Sequence, residues 1–247
     1  MRFVLELKDK RIAYVGEELK KSGNEVVDFV LQEKTLGKGE ICVVSPAHKW
    51  TEQEIQTAKG ADLCLGGKID EEAKNKFNNY VNMLLDEDFA VKNAILTAEA
   101  TLGEISKATE KSLYDMKILV LGSGRIAKAL WKMFYGLGVK FDTAMRNEKE
   151  RVLSQMVSQN SWRIENAPLT EFDLIINTIP AKLFDDSVVQ SLRGDQYIIE
   201  LASVPCIDAN ITHKTNFVPC GGLPGKILSK SAGKVVLQKL LEEIKKI

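Results

Sequence analysis

The chain has 247 residues, 45% of them hydrophobic, with 34 Lys+Arg balanced by 34 Asp+Glu. That length and apolar content suit one large or two small globular domains. Zero net charge offers no global field for nucleic acid, and no apolar run approaches the roughly 18 residues of a membrane span.

Glu6, Lys8 and Asp9 interrupt the apolar start, so it lacks the core of a signal peptide and predicts a cytoplasmic protein. Cys42, Cys64, Cys206 and Cys220 are scattered, and His48 and His213 are the only histidines. That inventory predicts neither a metal site nor a disulfide. Residues 11–15 read as a strand, followed by Gly16 and a short polar helix over 17–22. An apolar segment at 26–30 has strand character, and residues 41–44 form a buried-type strand that breaks at Ser45-Pro46. Thr51-Glu52-Gln53-Glu54 is a capping box that opens a helix to about Lys59. A strand at 61–65, a polar helix near 70–78 and a short apolar piece at 80–85 follow. His48 stands just beyond a strand end and is expected to reach a cleft.

Residues 86–112 read as helical, with Phe89, Ala90, Ala94, Ala98 and Leu102 near helical spacing. A strand at 116–121 leads to a helix at 125–135, which Gly136-Leu137-Gly138 stops. Then come a strand at 139–145, a helix at 148–159, strands at 172–176 and 197–201, and a short strand at 217–218. A helix from about Ser231 closes the chain. Strands alternating with helices predict an α/β fold, a doubly wound parallel sheet of Rossmann type with a smaller N-terminal α/β domain. The domains are drawn at 1–90, on the substrate side, and at 91–230, which includes a linking helix over 91–112. Residues 231–247 are a C-terminal helix that can pack back on the first domain.

The sharpest signal is Gly122-Ser123-Gly124-Arg125-Ile126-Ala127, which follows an apolar strand and opens a helix. Gly122 suits a tight turn, Gly124 lets a pyrophosphate approach the backbone, and Ala127 lets the helix pack closely. Other strand ends carry Arg146, Asn177-Thr178-Ile179-Pro180 and Ala202-Ser203-Val204-Pro205. Doubly wound sheets bind ligands at such ends. Asp142 lies 20 residues after Gly122 but inside its strand, whereas Arg146 stands at the strand's end. A guanidinium there can pair with a 2′-phosphate, which favours NADP over NAD.

These blocks, in this order, resemble the dipicolinate synthase A-subunit family of spore-forming bacteria. The resemblance runs from about Phe89 to the C-terminus. Residues 89–99 resemble its "N-x-x-P-T-x-E-G" block, and 144–146 its "x-A-R". Residues 176–180 match "I-N-T-I-P", and 201–205 resemble "L-A-S-x-P". Gly222-Leu223-Pro224-Gly225-Lys226 and Ser231-Ala232-Gly233 resemble "G-L-P-G-k" and "T-A-G". Leu96, Ala100 and Cys206-Ile207 depart from the pattern, where the family has Pro, Gly and Gly-Gly.

The resemblance implies an NAD(P)-dependent oxidoreductase subunit of sporulation. With a flavoprotein-like B-type partner it would convert a hydrated or dihydro cyclic dicarboxylate to dipicolinic acid. It implies that Gly122, Ser123, Gly124, Arg125, Ile126, Arg146, Asn177, Thr178, Ile179 and Pro180 bind the cofactor. Asn93, Thr97, Ser203, Pro205, Gly222, Leu223, Pro224 and Lys226 would face the substrate. Among them Lys226 and Ser203 would hold a carboxylate, and Glu99 would serve as a general base. Each has a plainer reading as a solvated charge, a helix cap or a turn former. A partner surface should show as an exposed apolar patch, and homo-oligomerisation is left open. Two other readings stay open. One is a self-sufficient, shikimate-dehydrogenase-like NADP enzyme for another small carboxylate. The other is a non-catalytic nucleotide-binding module, for which Cys206-Ile207 is the hint.

Overall fold

A computed structural model describes residues 1–32 and 34–247. It divides into two compact units, one of Met1–Leu96 with Pro224–Ile247 and one of Thr97–Leu223. The boundaries drawn at 90 and 230 from the sequence thus lie at 96 and 223. Among the described residues no helix is long and apolar enough to cross a membrane.

The first unit contains β1 (Arg2–Leu5), α1 (Lys10–Lys21), β2 (Glu25–Asp28), β3 (Glu40–Val43), α2 (Glu52–Ala58), β4 (Leu63–Gly66), α3 (Glu71–Lys74) and β5 (Tyr80–Asn82). Its sheet is parallel throughout, in the order β2-β1-β3-β4-β5. Side chains alternate across it, as the pleat requires. Phe3, Leu5, Ile41, Val43, Leu63 and Leu65 fill one face; Val4, Cys42, Val44 and Cys64 fill the other. Burying both faces in this way is what a parallel sheet demands. Each fully buried aliphatic stabilises the unit by about 1.5–3 kcal/mol.

The strand expected at 11–15 is instead part of α1, and the first strand is the apolar start at Arg2–Leu5. Ile12, Val15 and Leu19 share the buried face of α1, so the helical period extends well past the five residues that look β-like alone. Asp9 caps the helix by accepting from the Arg11 N–H at 2.9 Å. The capping box of α2 forms as expected, with Thr51 accepting from Glu54 N–H and Glu54 accepting from Thr51 N–H.

The helix α4 (Glu87–Thr109) begins in the first unit and ends in the second. The second unit continues with β6 (Ile118–Leu121), α5 (Arg125–Leu137), β7 (Phe141–Met145), α6 (Glu148–Ser154), β8 (Ser161–Arg163), β9 (Leu174–Asn177), α7 (Asp186–Ser191), β10 (Tyr197–Glu200) and β11 (Asn216–Pro219). Its parallel sheet runs β11-β10-β9-β6-β7-β8. Chain order therefore reverses between β6 and β9, the arrangement of a doubly wound dinucleotide fold. The helix expected over 148–159 stops at Ser154, and the chain turns into β8, a strand absent from the sequence reading. That strand is tied to its neighbour by Asp142, which accepts from the Asn160 and Trp162 side chains.

The last elements are α8 (Leu223–Lys226) and α9 (Ser229–Ile244). Val236 and Leu240 of α9 join the core of the first unit, against the Ile12 face of α1. A side chain at Gly233 would collide with the Arg11 carbonyl and the Tyr14 ring, so glycine sets how closely the two helices approach.

Candidate functional site

The register of the second sheet aligns Leu121 with Ala144 and Asn177, and Asn177 with Glu200. The residues that follow these four therefore emerge along one carboxyl edge. The order reversal lies between β6 and β9, so the crevice at their ends is where such a sheet takes a ligand.

At the end of β6, Gly122 adopts φ +106°, a left-handed conformation that favours glycine. A Cβ there would strike Thr178 Oγ1 and come within 3.0 Å of Ile179 Cγ1. Gly124 is different. It is the N-cap of α5, and nothing lies within 4 Å of where its Cβ would be. No side chain caps this helix and its first turn carries no acidic residue. A helix start with open space above it and no carboxylate of its own suits a phosphate. Ala127 is fully buried beneath it. Ser123 and Ile126 are half-buried, and Arg125 is exposed.

Residues 178–180, at the end of β9, lie against this turn. Thr178 donates to the Leu121 carbonyl through both its N–H, at 3.1 Å, and its hydroxyl, at 2.7 Å. Asn177 is fully buried, and its side chain brackets Ile179: Oδ1 accepts from Ile179 N–H and Nδ2 donates to Ile179 O, each at 3.0 Å. The Asn177 amide is thus engaged within the protein. Nδ2 also donates to Glu200, a buried carboxylate that sequence reasoning did not single out. Nothing in the run Tyr197-Ile198-Ile199-Glu200 marks its last residue as inward-facing except the strand alternation itself.

Arg146 is exposed just past β7 and makes no hydrogen bond or ion pair among the described residues. Asn147 next to it caps α6 through Glu150 N–H. Asp142 is buried and lines a pocket of about 380 Å³ with Ile118 and Phe141, at the amino ends of β6 and β7. It is therefore removed from the glycine turn.

Ser203 and Pro205 are exposed beyond β10, and Gly222, with φ +73°, follows β11 next to buried Leu223. These join the glycine turn, Arg146 and residues 178–180 on the strand-end side of the second unit. Pro224 and Lys226 belong to the first unit, as does the half-buried Asn93 on α4. Lys226 is exposed with no acidic partner among the described residues. Thr97 is buried and Glu99 exposed, both on the part of α4 in the second unit. Cys206 and Ile207 are buried in the core of that unit, so this departure from the resembled pattern is a packing change and not an edge residue. Burial, and then the nearby Glu200 carboxylate, push the Cys206 thiol well above its usual range, which leaves it a poor nucleophile.

His48 does not reach a cleft. It is buried in the first unit, with Nδ1 3.1 Å from Glu6 and Nε2 3.4 Å from Glu54, and its ring meets Phe29 and Trp50 edge-on. Burial alone would push Glu6 up and His48 down. Their mutual hydrogen bond reverses both, with Ser45 N–H adding to the effect on Glu6 and the Glu6 and Glu54 charges to that on His48: Glu6 lies below the usual carboxylate range and His48 above the usual imidazole range.

No protein-family model matches the chain. Over 183 residues it is 29% identical to the A subunit of dipicolinate synthase from Bacillus subtilis (strain 168), an alignment that covers 70% of this chain and 60% of that protein. The chain is similar to the A subunit of dipicolinate synthase. In fold it superposes on the crystal structure of that protein from Bacillus halodurans with a TM-score of 0.80, at 20% identity, over 98% of this chain and 96% of the other. The Bacillus subtilis structure gives 0.76 at 19% identity, over 99% and 96%. An NAD-complexed D-isomer-specific 2-hydroxyacid dehydrogenase from Lactobacillus delbrueckii ssp. bulgaricus shares the fold at a TM-score of 0.59 and 11% identity, over 98% and 96%.

Proposed function

We propose that this chain is the pyridine-nucleotide-binding oxidoreductase subunit of a dipicolinate synthase. The observation that carries the reading is the pairing of Gly122, closed by Thr178, with Gly124, left open, at the reversal point of the second sheet. The similarity to the dipicolinate synthase A-subunit family supports it. Bound there, a nicotinamide supplies the acceptor for a hydride. The uncapped start of α5 receives the pyrophosphate. Residues 178–180 flank the nicotinamide half. Arg146, with no acidic partner among the described residues, receives a 2′-phosphate, which makes NADP the preferred cofactor over NAD.

The substrate is a hydrated dihydrodipicolinate-type cyclic dicarboxylate, and the net change is loss of one water to the dihydro ring and then of one hydride equivalent and one proton to give the aromatic ring. Two carboxylates leaving water need cationic or N–H partners. Lys226 supplies a cation with no acidic partner among the described residues, exposed Ser203 a hydroxyl, and exposed Glu99 a carboxylate for proton removal. The resemblance also assigns to the substrate Thr97, Pro205, Gly222 and Leu223 of the second unit and Asn93 and Pro224 of the first. A second, flavoprotein-like chain, the synthase's B-type partner, shares the work. The test follows ring aromatisation in the ultraviolet with this chain alone and with that partner added. Cofactor binding by the chain alone, with product formed only when the partner is present, is the expected outcome. Full turnover by the chain alone would overturn the two-chain reading.

A further inference from the structure

Glu200 ends β10 and is 3% exposed, yet it sits beside Asn177 in the sheet register. Its Oε1 accepts from Asn177 Nδ2 and from Ala202 N–H, both at 2.8 Å. Its Oε2 accepts from Asn177 Nδ2 at 3.0 Å and from Cys206 N–H at 2.7 Å. These partners are N–H donors, and no lysine or arginine pairs with Glu200 among the described residues. A carboxylate taken out of water costs several kcal/mol unless its oxygens are satisfied, so its presence here calls for a role that an apolar residue would not fill. Filling space beneath the loops would need only a leucine. Holding two loops by their donors needs an acceptor with two oxygens.

One of those loops is the wall of the crevice. Glu200 fixes the Asn177 amide, the amide brackets Ile179, and Thr178 between them is bonded twice to Leu121 and lies against Gly122. A continuous set of hydrogen bonds thus leads from the carboxylate to residues 178–180. Glu200 itself stays beneath the surface and touches no ligand. The second tie, through Cys206, anchors the loop after β10: the Cys206 carbonyl in turn accepts from Leu183 and Phe184 N–H at 2.8 and 3.0 Å.

We infer that Glu200 is a positioning residue for the nicotinamide half of the dinucleotide site, acting through Asn177 and residues 178–180. The inference rests on the reading of residues 122–127 as a dinucleotide site. It also predicts a division of labour. The phosphate turn and the adenosine side depend on Gly122, Gly124 and Arg146, while the nicotinamide side depends on Glu200.

A truncated ligand separates the two. The full chain and its Glu200→Gln, Glu200→Asp and Asn177→Ser variants are titrated with NADPH and with 2′-phospho-ADP-ribose, which lacks the nicotinamide, and each melting temperature is recorded. Wild type is expected to bind both ligands. Glu200→Gln replaces one acceptor with a donor facing N–H groups. It should weaken NADPH about tenfold or more, the scale of a lost charge-assisted hydrogen bond, while leaving the truncated ligand unchanged. Asn177→Ser should show the same selective loss, and Glu200→Asp, which keeps the charge on a shorter arm, a smaller one. These two variants carry the test if Glu200→Gln does not fold. Equal losses for both ligands, or no loss for either, would overturn the positioning role while leaving the nucleotide site standing. A wild-type chain that binds neither ligand would overturn the nucleotide reading, and this inference with it.

Discussion

After β1 the chain enters α1 through Glu6, Leu7, Lys8 and Asp9; after β6 it enters α5 through Gly122, Ser123 and Gly124. Both connections join a central strand of a parallel sheet to an amphipathic helix. In the first unit the protein's own side chains satisfy the turn. Asp9 caps the helix, and its carboxylate takes a two-pronged bond from the Arg11 guanidinium at 3.0 and 2.8 Å. In the second unit no side chain caps the helix start, and space stands open over Gly124. The two buried strand-end glutamates differ in the same sense. Glu6 is matched by a histidine, whereas Glu200 is spent on loop donors. The comparison teaches that a shared architecture does not make a site. A ligand edge is one where local groups are left unsatisfied, with glycine standing where a capping side chain would otherwise sit.

The largest effect should come from filling the open turn. Gly124→Val adds a branched side chain whose Cβ meets no atom within 4 Å beyond its chain neighbours, so the melting temperature should hold while NADP and NAD binding are lost. Undiminished binding by calorimetric titration would make the two turns equivalent after all. Next in size is Arg146→Ala. Loss of a charge-assisted bond worth about 1.5–3 kcal/mol should lower the preference for NADP over NAD about tenfold or more, and an unchanged ratio of affinities would make Arg146 a bystander.

The smallest effect belongs to the closed edge. Glu6 is depressed below its unfolded value, so its contribution to stability is present above about pH 4.5 and fades as pH falls through the folded value. His48 is raised, so its contribution is complete below about pH 6.5 and fades as pH rises through the folded value. Stability of the first unit should therefore be greatest between those limits. Glu6→Ala leaves Ser45 N–H and His48 without their acceptor. It should lower stability by about 1–3 kcal/mol and flatten the fall above pH 6.5, without altering nucleotide affinity. Thermal melts across pH that show the same profile in the variant would remove the pair from the account.

The second unit is largely readable from the sequence because its signals are local. Gly122, Gly124 and Ala127 announce their turn within six residues, and the capping box at Thr51 does the same for α2 in the first unit. What escapes such a reading depends on distant partners. The run Arg11-Ile12-Ala13-Tyr14-Val15 looks like a strand until the Val236 and Leu240 face of α9, over two hundred residues away, is set against it. β8 is three residues long, and a strand that short has no period of its own to read. Glu200 and Glu6 are ordinary polar residues in sequence, and His48 stands out there only as a strand-end residue expected at a cleft. Only the sheet register and burial turn them into fixed acceptors.

The path of the backbone sets an order of assembly. Residues 97–223 form an uninterrupted stretch with a core of their own, so that unit can close while translation is still under way. The strands made before it wait longer. The apolar groove along α1 stays uncovered until Ser229–Ile244 has left the ribosome, because Val236 and Leu240 complete that core. The second unit is thus inserted within the first, and a nascent chain halted before α9 exposes oily surface for chaperones or proteases to find.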